Sequence, residues 1–118
     1  MDDKPEYGRV CFVMVEMNNL NSAQLIEAVR VWTGWGQSAM PSRSDQRLAD
    51  QFGENDAAKL LPLIKSLEDD FYASDARLTA ANLQEMEKLA SDQFRQRHPT
   101  VAEEIVKAFA WCYTFDFK

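Results

Sequence analysis

Over residues 109–117 aromatic rings fall at every second position: Phe109, Trp111, Tyr113, Phe115 and Phe117, separated by Ala110, Cys112, Thr114 and Asp116. Period two puts all five rings on one face of a strand, whereas steps of about 100° along a helix divide them into two clusters. The residue types favour strand, and the pattern predicts a C-terminal β-strand. Each ring covers roughly 150–250 Å², so the ringed face amounts to about 1,000 Å². That is more apolar surface than a monomer leaves open to water, so the strand needs a cover. A second apolar run, Arg-Val-Cys-Phe-Val-Met-Val-Glu-Met over residues 9–17, is apolar on both alternating faces until Glu16. It predicts an N-terminal strand covered on both sides.

Between these runs the apolar spacing is helical. Asn18-Asn19-Leu20-Asn21 is turn chemistry. Asn21 or Ser22 then caps a helix with Leu25, Ile26, Val29 and Trp32 along one face, and Gly34 supplies a left-handed stop. Ser44-Asp45 opens a short helix closed by Gly53. Asn55-Asp56 opens a longer one bearing Ala57, Leu60, Leu61, Ile64, Leu67 and Phe71, with a kink expected at Pro62. A further helix begins near Thr79, carries Leu83, Met86, Ala90 and Phe94, and stops at His98-Pro99. Thr100-Val-Ala-Glu103 has the spacing of a capping box. No glycine separates the helix it opens from the aromatic run.

The predicted architecture is therefore α+β: N-terminal and C-terminal β-strands paired in a small sheet, with four to five helices between them packed on it, as one domain over residues 1–118. A two-stranded sheet is marginally stable and has open edges. The pattern thus predicts a homodimer, with Trp111, Tyr113, Phe115 and Phe117 at the interface.

Composition narrows the partners. The chain has 118 residues, 46% hydrophobic, with four Gly and four Pro, which is enough apolar content for a packed core. A net charge of −6 opposes phosphate neutralisation, so nucleic acid is not an expected partner, whereas a basic protein is. No apolar run approaches the ~18 residues of a membrane span. The opening Met-Asp-Asp-Lys-Pro-Glu is unlike a secretory leader. No membrane association and a cytoplasmic location are expected. Cys11, Cys112 and the single His98 cannot assemble a Cys/His zinc site, and no metal or cofactor is expected.

Four constellations carry candidate chemistry. Trp32 and Trp35, set among Gly34 and Gly36 with Arg30 nearby, are candidate ligand-binding residues, because glycine lets a ligand approach the backbone. Glu68, Asp69 and Asp70 form a candidate acidic face for a partner. With Glu85 and Glu87 they would also be the carboxylates of a metal-dependent hydrolase. Arg43 and Arg47 flank a helix start, a candidate anion site without a glycine-rich phosphate loop. His98 follows Arg95 and Arg97, a setting suited to a helix terminus rather than to general-base work. No nucleophile has a positioned base. The sequence therefore points to a non-enzymatic, small, acidic binding or interaction protein that recognises a protein or small ligand through an aromatic surface or pocket. The alternatives are an immunity- or antitoxin-type inhibitor of a basic effector, and a small metal-dependent hydrolase using helical carboxylates.

Overall fold

The computed structural model describes residues 22–118. These form five helices of eight residues or more and one four-residue helical turn: α1 (Ala23–Thr33), α2 (Asp45–Phe52), α3 (Glu54–Tyr72), the turn α4 (Ala76–Thr79), α5 (Leu83–Arg97) and α6 (Glu103–Asp116).

Local chemistry sets most of the boundaries. Ser22 Oγ accepts from the Leu25 amide at 3.2 Å and starts α1. Gly34 ends it at φ 84°, a conformation that costs a residue with a Cβ roughly 1–2 kcal/mol. Ser44 Oγ caps α2 by accepting from the Arg47 amide at 3.1 Å. The longer helix begins at Glu54 after Gly53, with no side-chain cap, and runs through Pro62 to Tyr72. Asn82 Oδ1 accepts from the Glu85 amide at 2.8 Å, and Glu85 Oε1 accepts from the Ala81 amide at 3.0 Å. That reciprocal pair places the start of α5 later than Thr79. The box expected at Thr100 does not form: Ala102 is the N-cap of α6, without a side-chain bond. Glu103 is instead gripped by Arg95, whose Nε and Nη2 each donate to its carboxylate at 2.9 Å.

The α+β expectation is overturned. The described residues contain no strand, and the aromatic run lies in α6, with Phe109, Trp111, Tyr113 and Phe115 inside it and Phe117 as its C-cap. The physical reason is aliasing between two periods. Every second residue over 109–117 also populates i, i+4, i+8 and i+2, i+6, so Phe109, Tyr113 and Phe117 form one helical stripe and Trp111 and Phe115 another. Two of the residues between them are buried as well: Ala110 and Cys112 join Ile105, Val106, Ala108, Phe109 and Tyr113 in the interior. A helix apolar around most of its circumference belongs in a core, and α6 packs against α5, α1 and α3. The predicted strand over Arg9–Met17 lies outside the described residues, and the segment it was to pair with is helical. A dimer made by extending that sheet falls with it.

The core is a lattice of rings. Phe71 of α3 lies 5.1 Å from Phe94, 6.1 Å from Phe109 and 5.6 Å from Tyr113, centroid to centroid. Ile64, Leu67, Leu48 and Val29 fill the remaining interior without exposure. The Tyr113 hydroxyl donates to the Ser74 carbonyl at 3.1 Å and accepts from the Arg77 amide at 3.0 Å, tying α6 to the turn around α4. Among the described residues, no helix is long and apolar enough to cross a membrane.

Candidate functional site

One cleft, of about 490 Å³, opens between the start of α2, the outer face of α3 and the end of α6. Its walls carry Trp32, Arg43, Lys65, Glu68, Asp69, Tyr72 and Asp116. Helical geometry explains the α3 contribution: Lys65, Glu68, Asp69 and Tyr72 recur at steps of three and four, so they share one face.

Arg43 organises the floor. Its Nε donates to Glu68 Oε2 at 2.7 Å, and its Nη2 donates both to Tyr72 Oη at 2.7 Å and to Asp116 Oδ2 at 3.0 Å. Tyr72 Oη in turn donates to the same Asp116 oxygen at 2.6 Å, closing a ring of three polar side chains to which Glu68 is attached through Arg43. Burial opposes the Arg43 charge, but the hydrogen bonds to Glu68 and Asp116 outweigh it and hold its pKa above the ordinary arginine value. Burial first, and then the bond to Asp116, raise the Tyr72 phenol against the opposing charge of Arg43. Cys112 lies behind this ring, fully buried, and burial pushes its thiol up to about 12.

The rim is differently disposed. Trp32 is only 2% exposed, and its Nε1 donates to Asp45 Oδ1 at 2.9 Å. Lys65 reaches Asp45 Oδ2 at 3.9 Å across half-exposed side chains. Asp69 is exposed and, among the described residues, takes part in no side-chain ion pair or hydrogen bond. With Asp45, four carboxylates face two cationic side chains around this cleft.

The sequence-derived candidates separate accordingly. Trp32 joins Glu68 and Asp69 in the cleft. Arg30 is paired with Glu27 at 2.7 Å, and Trp35 packs against the core; neither lines the cleft. Asp70 points elsewhere, with Oδ2 2.9 Å from His98 Nε2, while Arg97 donates to its backbone carbonyl at 2.8 Å. The Glu68-Asp69-Asp70 run therefore serves two faces of α3. The two guanidiniums of the candidate anion site are both used internally. Arg47 donates to the carbonyls of Val31, Trp32 and Ser42 at 2.9–3.0 Å, closing the C-terminus of α1, and Arg43 serves the cleft floor. Among the described residues, no group of three or more His, Cys, Asp or Glu side chains is placed to hold a metal ion. Of the four aromatic interface candidates, Tyr113 is fully buried and Phe117 is 38% exposed against Tyr113 and the Arg77 guanidinium. Trp111 and Phe115 line a separate groove beside α5.

Arg43, Lys65, Tyr72 and Asp116 are the cleft residues that sequence reasoning did not assign to this site. For Lys65 and Tyr72 the signal was their spacing with Glu68 and Asp69 on one helical face; Arg43 showed only as half of the candidate anion site, and Asp116 only as an aspartate inside the aromatic run. Comparison with family models, with curated proteins and with solved structures returned no match.

Proposed function

We propose that this chain is a non-enzymatic interaction protein that seats a cationic group of a basic protein partner in the cleft between α2, α3 and the end of α6. The observation that supports this most directly is the surplus of carboxylate around the cleft combined with Asp69 at its rim, which has no side-chain partner among the described residues. A lysine or arginine side chain entering there meets that carboxylate, with the Tyr72 ring beside it. Charge-assisted pairing of this kind gives direction and on-rate to a protein whose overall charge is −6.

Binding is favoured over turnover by the state of the polar groups. A general acid or base works best with a pKa near the operating pH. Here the Tyr72 phenol and the Cys112 thiol are both raised, away from neutrality, and Arg43 is held charged. Such a ring fixes geometry and keeps its protons.

The test is calorimetric titration with a lysine-rich peptide at low and high salt. Binding should weaken with salt, and Asp69→Asn should weaken it severalfold. Glu104→Gln, an exposed carboxylate on α6 outside the cleft lining, should leave it unchanged. Equal loss in both variants would mean that the peptide reads net charge alone and would refute the cleft.

A further inference from the structure

A second surface lies outside the cleft. The α5–α6 pair is an antiparallel hairpin, joined by a short connection over residues 98–102, so Leu83 at the start of α5 lies beside the end of α6. Along this seam runs a groove of about 240 Å³ whose walls include Leu83, Glu87, Trp111, Thr114, Phe115 and Lys118. Leu83 is 46% exposed, and the Lys118 ammonium sits 4.4 Å from the Phe115 ring centroid. The groove therefore has two distinct ends. Glu87 and Trp111 mark one; Phe115, Lys118 and Leu83 mark the other, about one helical turn along.

The geometry points to a second copy of this chain as the occupant of that groove. The apolar centre is flanked by one carboxylate and one ammonium at opposite ends, which is the charge pattern a two-fold contact requires. An axis passing near Thr114, normal to the seam, brings Glu87 of each copy to Lys118 of the other. The same operation lays Trp111 of each copy against Phe115 of the other. The two hairpins then meet as an antiparallel four-helix arrangement whose centre is aromatic and whose rim is charged. This replaces the sheet-edge dimer with a helical one and retains two of the four aromatic positions. The groove is smaller than the roughly 800 Å² per partner of a standard stable interface, so the dimer is weak and concentration-dependent. It leaves the Asp69 cleft free.

Sedimentation velocity of the full chain from 5 to 500 μM tests this through charge reversal. The unaltered chain should pass from monomer to dimer within that range. Glu87→Lys alone and Lys118→Glu alone should each weaken the dimer on the order of tenfold, because both symmetry-related pairs become repulsive. The double variant E87K/K118E should restore it, while circular dichroism shows an unchanged fold throughout. A monomer at 500 μM overturns the proposal, whether residues 1–21 or an unrelated protein covers the groove. A dimer indifferent to the single reversals, or one that the double variant fails to restore, overturns it equally.

Discussion

Replacing Tyr113 with phenylalanine separates the helical account of the C-terminal segment from any account that leaves this ring at a surface. The ring contacts survive the change: Phe71 and Phe117 lie 5.6 and 4.9 Å away, centroid to centroid, and touch carbon rather than oxygen. Two hydrogen bonds disappear, one to the Ser74 carbonyl and one from the Arg77 amide. Each contributes about 1 kcal/mol net, and an orphaned buried group adds more. The Ser74 carbonyl is not orphaned, because the Arg77 guanidinium also donates to it at 3.0 Å. The Arg77 amide loses its only side-chain acceptor but is partly accessible to water. The sum is about 2 kcal/mol of lost stability. With a urea slope of about 1–2 kcal/mol per M, the midpoint should fall by roughly 1–2 M at unchanged slope, read by circular dichroism at 222 nm. In thermal unfolding the same loss corresponds to about 10 °C. A shift below about 0.5 kcal/mol would refute the buried staple. A weakened self-association with normal unfolding would return Tyr113 to the interface.

Three further outcomes follow from particular contacts. Gly34→Ala should cost about 1–2 kcal/mol for the positive φ alone; an added Cβ also meets Ser38 Oγ at 3.0 Å, so a midpoint equal to that of the unaltered chain would contradict the cap. Asp92 is held below the usual carboxylate range by its hydrogen bond from Lys88 and by Arg95, and Glu103 by its hydrogen bonds from Arg95. Depressed carboxylates stabilise above the ordinary range and lose that contribution as pH falls through it. The stability difference between the unaltered chain and Arg95→Gln should therefore shrink between pH 6 and pH 3, and it should stay under about 1 kcal/mol because the groups are exposed. A difference that grows on acidification would reverse the sign and sink the assignment. In a Cys11→Ser background, the buried Cys112 thiol should resist a disulfide reagent at pH 8 and react only at the rate of unfolding. Rapid reaction of the folded chain would place Cys112 at the surface.

How much was legible in the sequence depended on where the deciding interaction lay. The ends of α1 and α2 were readable because Ser22, Gly34, Ser44 and Gly53 act within four residues of their own positions. The helical face of α3 was readable for the same reason, and the proline within it did not break the register. The C-terminal segment was misread because alternation over nine residues satisfies two periods at once. Only burial on the intervening side, at Ala108, Ala110 and Cys112, decides between them. The missing glycine between the α6 start and the aromatic run was the one local sign of continuity. The capping box at Thr100 misled for a different reason: a bidentate guanidinium from α5 competes for Glu103, and two ionic hydrogen bonds outweigh the single backbone amide that the box would supply.

The cleft itself was hidden by distance along the chain. Arg43 meets partners 25, 29 and 73 residues away, and no periodicity reports such a meeting. Under the proposed function, fold and recognition make opposing demands on this residue. For the fold, Arg43 neutralises Glu68 and Asp116 and anchors the end of α6 to α3; without it the two partly buried carboxylates are left with no cation between them, a repulsive arrangement. For a cationic partner, the same guanidinium is a like charge at the cleft floor. The favourable arrangement is the one observed, in which Arg43 is consumed by the floor while Asp69, which has no duty in the floor, is left to the rim. Under that proposal, segregating the structural ion pairs from Asp69 lets one small cleft hold its floor and attract a cation at once, and it places the discriminating charge on a residue whose removal costs the fold little.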